Sequence, residues 1–190
     1  MTIDRLYEIL LSDKPSEEII TNEEEIFSLI PELKKCKGFN QNNIWHPYDV
    51  YNHILHVIDK VDNNIVLRLA ALFHDIGKPD TYSEDSNNIG HFYGHWDKSM
   101  EIFRGFANKY KIDDQIVVSV SKLIYYHDLN ISKLDDSDIK KLLSDFSEEE
   151  LKMLYILKKA DLLSQNKDFH GNINIYNNEE KELLKIKKSK

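Results

Sequence analysis

Apolar side chains recur along this chain at intervals of three and four residues rather than two, in short runs separated by polar turns. That period belongs to helices presenting one face to a core. Ile3, Leu6, Tyr7, Leu10 and Leu11 mark a first helix that should stop before Lys14-Pro15. A second helix is predicted from about Ser16 to near Pro31, and 38–47 reads as a loop. From 48 or 49 to 61, Val50, Ile54, Val57, Ile58 and Val61 form one apolar face with Asp59 and Lys60 outside, and this helix carries His53 and His56. Residues 65–73 are apolar apart from Arg68, which predicts a buried central helix ending around Asp75-Ile76-Gly77.

The stretch 78–94 contains Pro79, a polar run over 83–88 and two glycines, and reads as a loop at the mouth of a cleft. Helices follow over about 95–110 and 113–127. Ser147 and Glu150 fit a capping box that opens a helix through about Gln165, with Asp161 near its end. After Phe169 the chain is Asn-rich and then basic, and reads as a solvated, fraying end. No run has the alternation of a strand. The expected fold is all-α: N-terminal helices over 1–43, a helical core over 44–167 and a polar, helical tail over 168–190.

Composition narrows this picture. The chain has 190 residues, of which 41% are hydrophobic and 31% charged, as in a globular protein. No apolar run reaches the roughly 20 residues of a membrane-spanning helix, and the first residues do not resemble a secretory signal, so the expected location is cytoplasmic. Cys36 is the only cysteine, which excludes a disulfide within the chain and any Cys-rich zinc site. A formal charge of −8 disfavours electrostatic capture of a nucleic acid backbone. A small anionic substrate stays compatible with that charge, because a bound cation reverses the local field.

The candidate chemistry starts from His74-Asp75 at the end of the most apolar helix, where an ionised carboxylate is costly without a cation or several hydrogen bonds. Neighbouring helical residues point about 100° apart, so both converge only on a ligand beside the helix flank. His53 on the preceding helix and Asp161 on a later one complete a set drawn from three helices, which is how bundle cores build metal sites.

The order His53, His74-Asp75, Asp161 resembles the HD superfamily of metal-dependent phosphohydrolases. Leu72-Phe73-His74-Asp75-Ile76-Gly77-Lys78-Pro79 and Gly90-His91-Phe92-Tyr93-Gly94-His95 are most similar to the HD module of bacterial CCA-adding tRNA nucleotidyltransferases and its stand-alone relatives. The likeness includes Asp49-Val50-Tyr51-Asn52-His53 and Lys159-Ala160-Asp161 through Gln165-Asn166 and spans roughly 44–167.

The resemblance implies an HD-domain helical bundle with a metal site in its core. His53, His74, Asp75 and Asp161 would be the metal ligands, with His95 and His127 as further ligands around a bridging Asp75. Lys78 would contact a phosphoryl oxygen, giving Asp75, Lys78, His95 and His127 catalytic roles. One divalent ion (Mn, Fe, Ni, Co, Zn or Mg) is expected and two are open. Several dinuclear relatives carry adjacent histidines where this chain has Tyr126-His127-Asp128, and His95 and His127 alternatively serve as proton donors.

The implied activity is phosphomonoester or phosphodiester hydrolysis of a nucleotide or 2′,3′-cyclic phosphate. The nucleotidyl-adding reaction is expected to be absent, since Asp136-Ser137-Asp138 lacks the Gly-Ser turn that such carboxylates follow. Two other readings remain: a metal-stabilised nucleotide-binding or sensing module without turnover, and an RNA-processing accessory protein. His46 and His91 are expected near the mouth, His56 in packing, Asp49 as a helix-start residue, and Phe92-Tyr93 and Tyr125-Tyr126 in packing or base stacking. His170 has no evident partner.

Overall fold

Ile65 to Phe73 (α6) occupies the middle of the computed structural model, which describes residues 1–189; the last lysine of the basic end lies outside them. Asn64 starts this helix by accepting hydrogen bonds from the Val66 and Leu67 amides. From Leu67 onward every side chain is buried. Arg68 is buried too, its Nε donating to the Asp62 carbonyl at 3.1 Å.

Before α6 come α1 (Ile3–Leu10), α2 (Pro15–Thr21), α3 (Glu23–Leu29), α4 (Pro31–Cys36) and α5 (Val50–Lys60). The second helix expected from sequence is thus three short ones. Asn22 ends α2 and Ile30 ends α3, while Pro31 opens α4 at a position where its missing N–H costs nothing. The first two pack on α6 and α5, and α4 packs on α5.

After α6 come α7 (Lys78–Thr81), a two-stranded antiparallel hairpin of β1 (Ser83–Glu84) and β2 (Gly90–His91), α8 (His95–Tyr110) and α9 (Asp114–Tyr126). The stretch over 78–94 therefore holds a short helix and a hairpin rather than plain loop. Two-residue strands lie below the length at which alternation registers. Helices α10 (Asp136–Asp145), α11 (Glu148–Leu162) and α12 (Ile173–Lys188) complete the chain, with 3-10 turns at Ile131–Lys133 and Lys167–Asn172. The Ser147–Glu150 capping box opens α11 as its sequence predicts.

The reading of the C-terminal stretch as a fraying end is corrected. Helix α12 lies against α11, with Leu183 buried, Lys159 Nζ 2.6 Å from Glu180 Oε2 and Lys187 Nζ donating to the Leu143 carbonyl at 2.6 Å. Helices α1, α5, α8, α9 and α11 all pack on α6. The fold is all-α apart from the small hairpin. Among the described residues, no helix is long and apolar enough to cross a membrane.

Candidate metal centre

The buried course of α6 delivers His74 and Asp75 to the interior, both essentially without exposure. Two residues on, Gly77 lets α8 approach: a Cβ there would stand 2.7 Å from the Ser99 amide nitrogen and 2.9 Å from the His95 carbonyl oxygen. That close approach seats His95, the first residue of α8, against Asp75. His53 arrives from the buried face of α5, His127 from the C-terminal end of α9 and Asp161 from the last turn of α11.

The six side chains divide around the Asp75 carboxylate. Its Oδ2 lies 3.3 Å from both His53 Nε2 and His74 Nε2, and those two nitrogens are 3.4 Å apart. Its Oδ1 lies 3.3 Å from His95 Nε2 and 3.6 Å from His127 Nε2, which are 3.3 Å apart. Asp161 Oδ1 is 2.9 Å from His53 Nε2. The result is two buried groups, His53-His74-Asp75 and Asp75-His95-His127, each with its ligand atoms within 4.8 Å of one another. Asp75 belongs to both.

The other ring nitrogen of each histidine fixes its tautomer. His74, His95 and His127 direct Nδ1 at the carbonyls of Ala71, Phe92 and Ile124, at 2.8, 2.9 and 2.7 Å, and His53 Nδ1 is 3.4 Å from the Ser164 carbonyl. A carbonyl only accepts, so each Nδ1 carries hydrogen and each neutral ring presents a bare Nε2 lone pair to the centre. Neither Asp75 oxygen receives a hydrogen bond of acceptable geometry. Four nitrogen lone pairs and a buried carboxylate repel one another unless cations lie among them. The residues fit divalent metal on this ground, and their N/O donor set suits Mn, Fe, Co, Ni, Zn or Mg.

Without metal, protons and Lys78 compensate the charge. Burial alone would lower the His53 pKa; the Asp161 and Asp75 carboxylates beside its Nε2 outweigh that and raise it to about 9. Burial would likewise raise Asp75, but Lys78 and the histidines hold it well below the usual carboxylate range, and His53 does the same for Asp161. Lys78 is buried, with Nζ 2.6 Å from Asp75 Oδ2, donating to Gln41 Oε1 at 2.9 Å and lying over the Phe92 ring. It also lines the cavity that leads to the site, which has a volume of about 190 Å³.

His46 and His91 line that cavity as well. His46 packs edge-on against the His53 ring, and burial followed by repulsion from Lys78 and His53 pushes its pKa down to about 2, leaving it neutral. His91 pairs with Asp85 at 3.3 Å. His56 packs at a tilt on Tyr48, and Asp49 caps α5 by accepting from the Asn52 amide. Tyr126 packs on Phe146, whereas Tyr93 is exposed at the rim. His170, without a partner in the sequence reading, has Nε2 3.1 Å from the Gln165 carbonyl. Asp136 and Asp138 lie in the first turn of α10, where Asp138 closes the capping box with Asp135.

Three residues that the sequence reading passed over bear on the site. Gln41 anchors Lys78, and Gln165 Nε2 donates to Asp161 Oδ1 at 3.3 Å. Lys158 is buried with Nζ donating to the carbonyls of His127 and Leu129, at 2.9 and 2.8 Å. Gln165 lies in the last segment of the family likeness, and Lys158 left a signal of its own: it stands on the apolar ladder of Leu151, Leu154 and Tyr155, an odd place for a lysine.

A family model described as HD domain matches residues 43–165. The chain is 27% identical over 146 residues to the A-adding tRNA nucleotidyltransferase of Deinococcus radiodurans, a match covering 73% of this chain and 33% of that protein. It is 30% identical over 91 residues to the Multifunctional CCA protein of Shewanella frigidimarina, covering 46% of this chain and 21% of that protein. The chain thus spans a third or less of the length of these two relatives.

Proposed function

We propose, from the premise that this chain belongs to the HD-domain family, that it is a metal-dependent phosphohydrolase acting on a small phosphorylated substrate of the nucleotide or 2′,3′-cyclic phosphate class. The observation that carries this reading is the Asp75 carboxylate, buried between two pairs of Nε2 atoms so that each of its oxygens belongs to a separate three-residue ligand group. His53, His74, Asp75 and Asp161 would hold one ion, and Asp75, His95 and His127 a second. Divalent ions in such a site supply a Lewis acid for a phosphoryl oxygen and acidify a water molecule enough for it to attack phosphorus at neutral pH.

The chain's own groups do the rest. The four Nδ1-to-carbonyl contacts aim the imidazoles, so little reorganisation accompanies the reaction. His95 and His127 direct Nε2 at Asp75, which favours ligation over proton donation for both. Lys78, buried and cationic at the cavity wall, offers a point charge to a phosphoryl oxygen while Gln41 limits its travel. Neutral His46 closes one side of the cavity without competing for the anion. The relatives' names speak of tRNA nucleotidyl addition; for this chain we propose hydrolysis of small phosphate esters.

The test is a panel of nucleotides, 2′,3′-cyclic phosphates and phosphodiesters assayed with Mn²⁺, Ni²⁺, Co²⁺ or Mg²⁺. Turnover with at least one metal is expected, falling by roughly a hundredfold or more in His74→Ala and Asp75→Ala. Activity undiminished in those variants overturns the assignment. Tight binding with no product under any metal would favour a sensing module instead.

A further inference from the structure

The cavity over the metal centre, about 190 Å³, is smaller than the roughly 300 Å³ at which pockets begin to enclose a whole small ligand. It has room for a phosphoryl group and little else. A second cleft of about 430 Å³ shares Asn43 and Trp45 with it and runs outward between the 40–45 loop and the hairpin turn at 88–89. Its lining consists of asparagines, Ile44, Ile89 and Trp45, with no charged side chain among the described residues.

Three of these residues are apolar yet exposed: Ile44 at 69%, Trp45 at 44% and Ile89 at 37%. The backbone holds them there. Asn166 donates its amide N–H to the Trp45 carbonyl at 2.8 Å and its side-chain nitrogen to the Ile44 carbonyl at 3.1 Å. Across the cleft, Asn42 Nδ2 donates to the Asn88 carbonyl at 2.6 Å and the Gly90 amide to the Asn42 carbonyl at 2.9 Å. Asn42 and Asn88 both adopt positive φ, 51° and 58°, a conformation that asparagine tolerates better than most residues. One flank of the Trp45 ring lies against Phe169, centroids 6.1 Å apart. A pinned loop that displays Ile and Trp to solvent beside an anion site marks a recognition surface.

We infer that this cleft is a nucleobase subsite, in which the base of a mononucleotide packs against Trp45, Ile44 and Ile89 while its phosphate occupies the metal cavity. The inference rests on the phosphohydrolase reading for the phosphate end alone. A nucleobase is neutral, planar and rimmed with hydrogen-bond donors and acceptors, matching a cleft of apolar faces and amide side chains without charge. Asn40, Asn42 and Asn43 use their side chains to hold the loop, Asn40 Oδ1 accepting from the Asn42 amide and Asn43 Oδ1 from the Trp45 and His46 amides, which leaves Asn88 to meet the edge of the base.

The test follows the indole N–H resonance of Trp45 in the full-length protein, identified by its loss in Trp45→Phe; Trp96 supplies the internal control. Adenosine and uridine, which carry no phosphate, are expected to shift it saturably and by more than ribose 5-phosphate, which carries no base and reaches only the cavity wall that Trp45 shares with the cleft. Because nucleosides engage only the outer cleft, the shift should persist in Asp75→Asn, where the metal centre is impaired. Failure of hydrolysis with nucleoside binding retained would therefore remove the phosphohydrolase reading and leave the subsite standing. Ile44→Asp, at an exposed position where folding is little affected, should weaken nucleoside binding on the order of tenfold. No saturable shift with either nucleoside, an equal shift with ribose 5-phosphate, or undiminished affinity in Ile44→Asp would overturn the inference.

Discussion

Lys158 Nζ donates to the main-chain oxygen of His127 at 2.9 Å, at a depth where the lysine has almost no exposure. It also bonds the Leu129 carbonyl and lies over the Tyr176 ring. Burial lowers its pKa, yet nearby carboxylates oppose that and the carbonyls at the end of α9 receive its charge. Lys158 is thus a positioning residue: it acts on the centre through the backbone that carries His127.

Lys158→Met keeps most of the side-chain volume and removes the donor, leaving the buried His127 carbonyl and the partly buried Leu129 carbonyl without it. The expected loss of stability is about 2 kcal/mol, read from urea unfolding. The diagnostic readout is metal stoichiometry, because the Asp75-His95-His127 group should weaken while the His53-His74-Asp161 side keeps its ion. A variant that loses stability but binds metal like the parent would reduce Lys158 to a packing role.

Gly77 makes a second prediction through sterics rather than backbone freedom, since its φ of −82° is ordinary. Gly77→Ala drives a methyl into the backbone at the start of α8, where His95 begins. The expected cost is about 2 kcal/mol, accompanied by weaker metal binding on the His95 side. Thermal melting together with a Mn²⁺ titration checks both parts.

The pH dependence of the metal-free protein follows from His53, whose pKa in the folded state is raised from 6.5 to about 9. A raised folded-state pKa means that the stabilisation is fully present below about pH 6.5 and is lost as pH rises through 9. Unfolding free energy should fall across that window, by about 3 kcal/mol at most. Saturating Mn²⁺ should reverse the slope, because the ion competes with the proton for Nε2 and binds better as the proton leaves. Parallel slopes with and without the metal would contradict ligation by His53.

Much of this arrangement is legible in the sequence because its signals are local. A histidine and an aspartate closing the most apolar helix form an expensive pair, His53 stands on the strongly periodic α5, and α11, which carries Asp161, is announced by its Ser147–Glu150 capping box rather than by its period. The N-terminal helices were harder to read: their breaks at Asn22 and Ile30 fall inside one continuous apolar rhythm, and Pro31 starts a helix as readily as it ends one. Helix α12 docks through polar pairs and one fully buried leucine, Leu183, so its periodicity gives little sign of packing. The pairing of His95 with His127 depends on how α8 and α9 meet, a long-range fact that neither segment carries alone. Gln41 gave no signal, since its partner Lys78 lies across the cavity from its loop.

The most direct measurement is a calorimetric titration of the metal-free protein with Mn²⁺, repeated on His95→Ala and His127→Ala. A carboxylate shared by two histidine pairs predicts two equivalents per chain for the parent and one for each variant. The same stoichiometry in all three proteins, or no binding to the parent, would contradict a centre built on Asp75.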